Sequence, residues 1–240
     1  MERTLGSIHR ETLRVVDNLG LLLSTKGDLD AAEPLLLRAL RGRERLFGPD
    51  HTDTLLGLIN FAVFLVKKGD YKQAESLIRR VLKMRERTLG IEHRDTLATI
   101  GNLGGVLAEQ GKLAEAEIQL RRALSIKSIS PEANLIAFSY ICSNLAAVLH
   151  RKKDIQGAEK FNRQALDGFE LTLGHDHPDT LSCILGLAIC SRDNGDLSGA
   201  ERLAERAALG LQAKLSANHP LLTRAQGLLS DIRRAQEQRQ

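Results

Sequence analysis

Apolar residues return along the chain at three- and four-residue steps, the spacing of one face of an α-helix. Leu55, Leu58, Phe61, Ala62 and Leu65 form one such stripe, and Tyr71, Ala74, Leu77, Ile78, Val81 and Leu82 form a second. Between them stands Gly69-Asp70, where a glycine ends the first helix and the second begins. The same unit of two helices recurs. Asn18-Leu19, Asn60-Phe61, Asn102-Leu103 and Asn144-Leu145 are spaced by 42 residues, and the next place in register is Gly186-Leu187. Twelve residues past Gly20, Ala62, Gly104, Ala146 and Ala188 comes an Ala-Glu pair: Ala32-Glu33, Ala74-Glu75, Ala116-Glu117, Ala158-Glu159 and Ala200-Glu201. A further small residue follows at Ala39, Val81, Ala123, Ala165 and Ala207.

The breaks within the units carry Gly27-Asp28, Gly69-Asp70, Gly111-Lys112 and Gly195-Asp196, suited to a left-handed residue at a helix end. The Leu-Gly or Phe-Gly step at 5, 47, 89 and 173 ends the second helices in the same way. Small residues at fixed places let the paired helices approach closely, so a bulky residue at Ala74 pushes them apart. The chain is therefore expected to be all-α, a single repeat domain over 1–240. Its helix pairs are placed at about 9–50, 51–92, 93–130, 131–176 and 177–218, with a capping helix at 219–240.

With these residues in place, the sequence resembles the tetratricopeptide repeat, which has a Leu-Gly or Leu-Ala pair in its first helix and alanines in its second. It is most similar to the 42-residue kind found in kinesin light chains, where joints read like LGHDHPDTL at Leu173 to Leu181. The resemblance covers essentially the whole chain. It implies a right-handed α-solenoid whose inner wall is lined by the first helix of each unit and receives extended peptides.

Composition narrows the function. Thirty-four basic residues against 30 acidic ones leave a formal charge of +4, and aromatics are only 3%, with no tryptophan. Nucleic-acid binding calls for a clustered basic stripe with stacking aromatics, which this chain lacks. No apolar run is long enough for a membrane span, and the opening MERTLGSIHRETLR is charged where a signal peptide has an apolar centre. Cys142, Cys183 and Cys190 are odd in number and form no CxxC pair, so neither a disulfide frame nor a zinc site is indicated. A cytoplasmic protein is expected.

The candidate chemistry thins out in the same way. The histidines at 9, 51, 93, 177 and 219 all fall in register, one at each joint. Stacked helices lie about 8 to 10 Å apart, so equivalent histidines cannot converge on one ion. Each is read as opening a helix, with Asp53, Asp95 or Asp179 favoured by the positive helix end and Pro178 and Pro220 suited to a first turn. His175-Asp176-His177 is the one place where a third ligand would make a surface metal site. The glycines of GNLGGVLAEQG at 101–111 lack a Walker lysine and the GxGxxG spacing. The expectation is a non-enzyme with no cofactor and no metal.

The resemblance places the residue before the first-helix leucine on the inner wall. Here it is Asn18, Asn60, Asn102 and Asn144, and Gly186 interrupts the series. A carboxamide both donates and accepts, so such a ladder either holds a peptide main chain or bonds neighbouring helices. Specificity then falls to residues one turn either side: Leu56, Ile59, Val63 and Lys67; Ala98, Gly101, Gly105 and Glu109; Tyr140, Ser143, Ala147 and Arg151. The small residues Gly101 and Gly105 between larger neighbours either form a pocket for a bulky side chain or serve helix packing. Kinesin light chains favour acidic peptides containing tryptophan. This wall mixes Arg14, Lys67 and Arg151 with Asp17, Glu109 and Asp193, so an acidic preference does not transfer.

The fourth unit replaces the LGxxHPDT joint with SIKSISPEANLIAFSY, where Ser130, Pro131 and Glu132 predict a first helix starting near Pro131. The last segment reads as a solvating cap, whereas the start lies in the tail of a second helix. That start is expected of a piece of a longer array, or of one whose first helix meets another protein, self-association included. The leading function is a scaffold or adaptor that binds a protein or peptide segment in its concave groove. The alternative is the sensor arm of a larger signalling ATPase, with RNA binding a distant third.

Overall fold

The computed structural model describes residues 6–126 and 134–238. They form eleven helices and, among the described residues, no strand: α1 Arg10–Lys26, α2 Leu29–Phe47, α3 Thr52–Lys68, α4 Tyr71–Thr88, α5 Arg94–Glu109, α6 Leu113–Leu124, α7 Leu135–Arg151, α8 Ile155–Leu173, α9 Pro178–Asp193, α10 Leu197–Lys214 and α11 Pro220–Glu237. None is long and apolar enough to cross a membrane. The chain divides into two compact units, 1–112 and 113–240, so the boundary lies inside the third helix pair. In the first unit each of α1 to α4 packs on its successor, and α1 also touches α3. In the second unit α6 to α11 form the same succession.

First helices open on histidine. The ring Nδ1 of His9, His51, His93, His177 and His219 accepts the backbone N–H two residues on, at 3.1 to 3.2 Å. The imidazole nitrogen does the work usually given to an oxygen of Ser, Thr, Asp or Asn. Second helices open on aspartate instead: Asp28, Asp70, Asp154 and Asp196 each accept the N–H three residues on. Between the two helices the chain turns through a left-handed residue, glycine at 27, 69, 111 and 195. In the fourth pair Lys153 takes that conformation with φ 68°. The Ser130, Pro131 and Glu132 start predicted for the fourth pair lies outside the described residues. The described helix begins at Leu135, with Asn134 as an N-cap that makes no side-chain bond.

Small buried residues recur along the second helices. Ala32, Ala39, Ala74, Ala116, Ala123, Ala158, Ala165, Ala200 and Ala207 are all fully buried. The glutamate beside the first alanine of each pair has a separate task. Lys68 Nζ lies 2.7 Å from Glu33, Gln110 Nε2 2.7 Å from Glu75, Lys152 Nζ 2.5 Å from Glu117, Asn194 Nδ2 3.5 Å from Glu159 and Gln236 Nε2 3.0 Å from Glu201. These donors also recur every 42 residues, at the end of the next first helix. Each glutamate thus straps its pair to the following one.

Glu75 is the most heavily used of them. Burial raises its pKa, but bonds from Lys112, Arg79 and Gln110 outweigh it and bring the carboxyl from the ordinary 4.5 down to about 2. A depressed carboxyl contributes stability that is complete above pH 4.5 and is lost as the pH falls toward 2. Denaturant titration is expected to show that loss in the wild type and a flatter dependence across the same window in Glu75→Gln. In the same assay, Ala74→Leu and Ala116→Leu are each expected to cost roughly 1 to 3 kcal/mol through overpacking. Unchanged midpoints in both would remove the close contact from the account.

Candidate functional site

The first unit presents the first-helix residues of α1, α3 and α5. On α3, Leu56 and Val63 expose 46% and 40% of their surface, Lys67 is exposed and Asn60 is half-buried. Asn18 is exposed on α1, while Asn102 and Gly105 are half-buried on α5. Two expected wall residues lie inward instead. Ile59 is buried at 8% exposure, so its side chain belongs to the core, and Gly101 is buried as well. In the second unit Tyr140 and Arg151 are exposed and Asn144 is half-buried on α7.

Beneath Asn60 is a buried polar cluster. Asp17, expected among the wall's charges, is buried and paired with Arg43 of α2, whose Nη1 lies 2.9 Å from Asp17 Oδ2. Asn60 Nδ2 donates to the same oxygen at 2.7 Å. At Asn60, then, the amide N–H bonds a neighbouring helix, and the carbonyl oxygen is the free end of the carboxamide. Gly57 makes room for this cluster, since a Cβ there would meet Arg43 Nη1 at 2.9 Å. Arg85, 42 residues beyond Arg43, is buried too. Its Nη1 donates to the Asp95 carbonyl at 2.9 Å and to Thr99 Oγ1 at 2.7 Å, because Asp17's counterpart in the second pair is Ile59.

The gap in the asparagine series has a packing cause. Asn162 of α8 is buried, and a Cβ at Gly186 would stand 2.8 Å from its carboxamide. The amide has moved to the facing helix, and the backbone at 186 gives way to it. Tyr140 is also partly committed. Its ring meets Phe169 edge-on with centroids 4.8 Å apart, and its hydroxyl donates to Asp179. Burial and the Asp179 charge push the phenol's pKa up, so it stays protonated.

Two clefts open beside Leu56. One of about 380 Å³ is lined by Arg10, Glu11, Arg14, Arg43, Asp53 and Leu56. The other, about 500 Å³, runs from Asp50 and Asp53 past Leu56 to Arg85, Leu89 and Asp95. Both fall within the size of ligand-binding clefts, about 300 to 1,000 Å³. Elsewhere on α1, Val15, Leu19 and Leu22 form an exposed apolar stripe, whereas Phe61 and Phe64, the α3 counterparts of the last two, are buried. No three His, Cys, Asp or Glu side chains gather as a metal-binding set among the described residues. The three cysteines are buried free thiols, and burial pushes each of them up in pKa.

The buried arginines and Asp17 escape a reading of the sequence because charged residues read as solvated. The signal was there: Arg43 and Arg85 are 42 residues apart, each in line with the apolar stripe of its helix.

Comparison with known proteins places the geometry. The family model described as Tetratricopeptide repeat matches residues 10–86, 53–128 and 136–208. No curated protein matches the chain. Among solved structures, BtubC (BKLC) from P. vanneervenii superposes with a TM-score of 0.69 at 20% identity, over 87% of this chain and 84% of that one. A putative kinesin light chain of Podosopora anserina with nearly identical TPR-like repeats gives 0.61 at 22% identity, over 87% and 99%. The signal transduction ATPase with numerous domains and a tetratricopeptide repeat sensor from Pyrococcus horikoshii gives 0.62 at 14%, over 94% of this chain and 33% of that one. These are likenesses of fold, an α-solenoid of helix pairs.

Replacing Asp17 by alanine leaves Arg43 buried without a counter-charge and is expected to cost about 3 to 5 kcal/mol. Urea unfolding of the first unit's helices reads this directly. A loss no larger than that of an exposed aspartate would show the pair to be dispensable.

Proposed function

The chain belongs to the tetratricopeptide repeat family, with repeats of the 42-residue kind found in kinesin light chains, and from that premise we propose that it is a non-catalytic scaffold or adaptor holding a partner's peptide segment on its first-helix face. The observation that carries this reading is the exposed pair Leu56 and Val63 on α3, standing beside Asn60 and Lys67. Apolar anchors next to carboxamides are what an extended segment needs: pockets for side chains, and donors and acceptors for its main chain. Asn60 offers the segment its carbonyl oxygen, since its N–H serves Asp17. Asn18 and Asn102 extend the face on α1 and α5. In the second unit, Asn144 and Arg151 supply the corresponding positions of α7.

Buried free thiols support a reducing, cytoplasmic setting. Within this reading, self-association belongs to the α1 stripe of Val15, Leu19 and Leu22. The fold likeness to the Pyrococcus ATPase motivates a second reading, a sensor arm, which a nucleotide-binding region in the same gene would establish.

The test is calorimetric titration of a peptide panned against the chain. Asn102→Ala is expected to weaken it by about 0.5 to 3 kcal/mol with the fold intact, and Gly105→Leu more severely. Equal affinity for wild type and both variants would move the binding site off this face.

A further inference from the structure

The structure repeats one arrangement three times with different occupants. At the joint between the first and second pairs, the places are held by Arg14, Arg43 and Asp53. Forty-two residues on they are Leu56, Arg85 and Asp95, and at the joint between the fourth and fifth pairs they are Tyr140, Phe169 and Asp179. In two of the copies the aspartate receives a donor from the preceding first helix. Arg10 Nε lies 2.8 Å from Asp53, and the Tyr140 hydroxyl bonds Asp179. In the middle copy the two donor places are occupied by Thr52 and Leu56. Asp95 has the looser company of Arg94 at 3.6 Å and His93 at 3.9 Å, both beside it in the chain. Here the cleft of about 500 Å³ stands open.

We propose that this cleft receives a tyrosine side chain of the partner segment, its ring on Leu56 and Leu89 against Arg85 and its hydroxyl donating to the Asp95 carboxylate. The inference rests on the scaffold reading and names the residue that the scaffold selects. Tyr140 is the template: the chain itself shows a phenol filling this place and bonding this aspartate. Of the two internal donors, arginine and tyrosine, only tyrosine brings a ring for Leu56, Leu89 and Arg85. Where Arg10 meets Asp53, the neighbouring Arg43 is neutralised by buried Asp17. Arg85 has no such partner in the second pair, and its bonds go to a carbonyl and a hydroxyl. Its charged neighbour in the cleft is Asp95, and an aromatic ring set beside the guanidinium is attracted to it. Phosphotyrosine is refused, because Asp50, Asp53 and Asp95 surround the cleft.

The experiment titrates the full chain with N-acetyl-tyrosinamide and follows backbone amide shifts by NMR. The shifts are expected to centre on Leu56, Leu89 and Asp95 and to saturate at concentrations at least about threefold below those for N-acetyl-phenylalaninamide, which lacks the donor. The phosphorylated tyrosinamide is expected to leave these amides unmoved. Leu56→Tyr rebuilds the Tyr140 arrangement, so it is expected to keep the helical circular dichroism and lose the response. Shifts centred elsewhere, equal saturation by tyrosine and phenylalanine amides, or an undiminished response in Leu56→Tyr would each overturn the proposal. A panned peptide that needs Asn102 yet binds Leu56→Tyr as tightly as wild type overturns the cleft and leaves the scaffold reading standing. Tyrosinamide seated in the cleft while no panned peptide binds supports the cleft and ends that reading.

Discussion

Paired helices in this chain touch through side chains of one carbon, and the rest of the architecture depends on how close that brings them. With alanine fully buried at 32, 74, 158 and 200, the backbones approach until larger residues on either side interlock. Where even alanine is too large, glycine stands in: a Cβ at Gly210 would lie 2.8 Å from Leu181, and one at Gly20 2.8 Å from Leu36. A close-packed contact of this kind tolerates little change in volume. The length of the unit follows, since each pair must end where the next can make the same contact.

The helices and their period were legible because many weak signals add along a register. Every pair repeats its stripe, its break and its small residues, so one irregular residue does not disturb the sum. Features that depend on a single side chain across a gap were not legible. Histidine at the joints was read correctly as a helix opener, but its Nδ1 as the capping acceptor was hidden by the usual preference for side-chain oxygen. Asp17 was expected on the surface and is buried, because its partner Arg43 is 26 residues away on another helix. The positions of the asparagines were plain, but the bond from Asn60 to Asp17 was decided by a neighbour in another pair. Gly186 shows the same limit: the residue that explains it, Asn162, belongs to the preceding second helix.

The three joints show how a repeat acquires chemistry without changing its backbone. The aspartate of the opening turn stays while the residues around it change from Arg10 and Arg14 to Leu56 and then to Tyr140. An ion pair, an open cleft and a bonded phenol result. The opening turn favours a carboxylate for reasons of its own, the positive end of the helix, so an acceptor is present at the joint whatever surrounds it. Specificity is then a matter of which donors the chain supplies for itself.

The glutamate straps have a kinetic consequence. Each spans 35 residues and ends on the adjacent pair, so none has to wait for distant parts of the chain to meet. Order of this short range favours rapid assembly and lets it begin at any pair and spread to its neighbours. By the same logic, fraying that starts at one pair is resisted by the next rather than by the whole, and the chain melts as a row of linked segments.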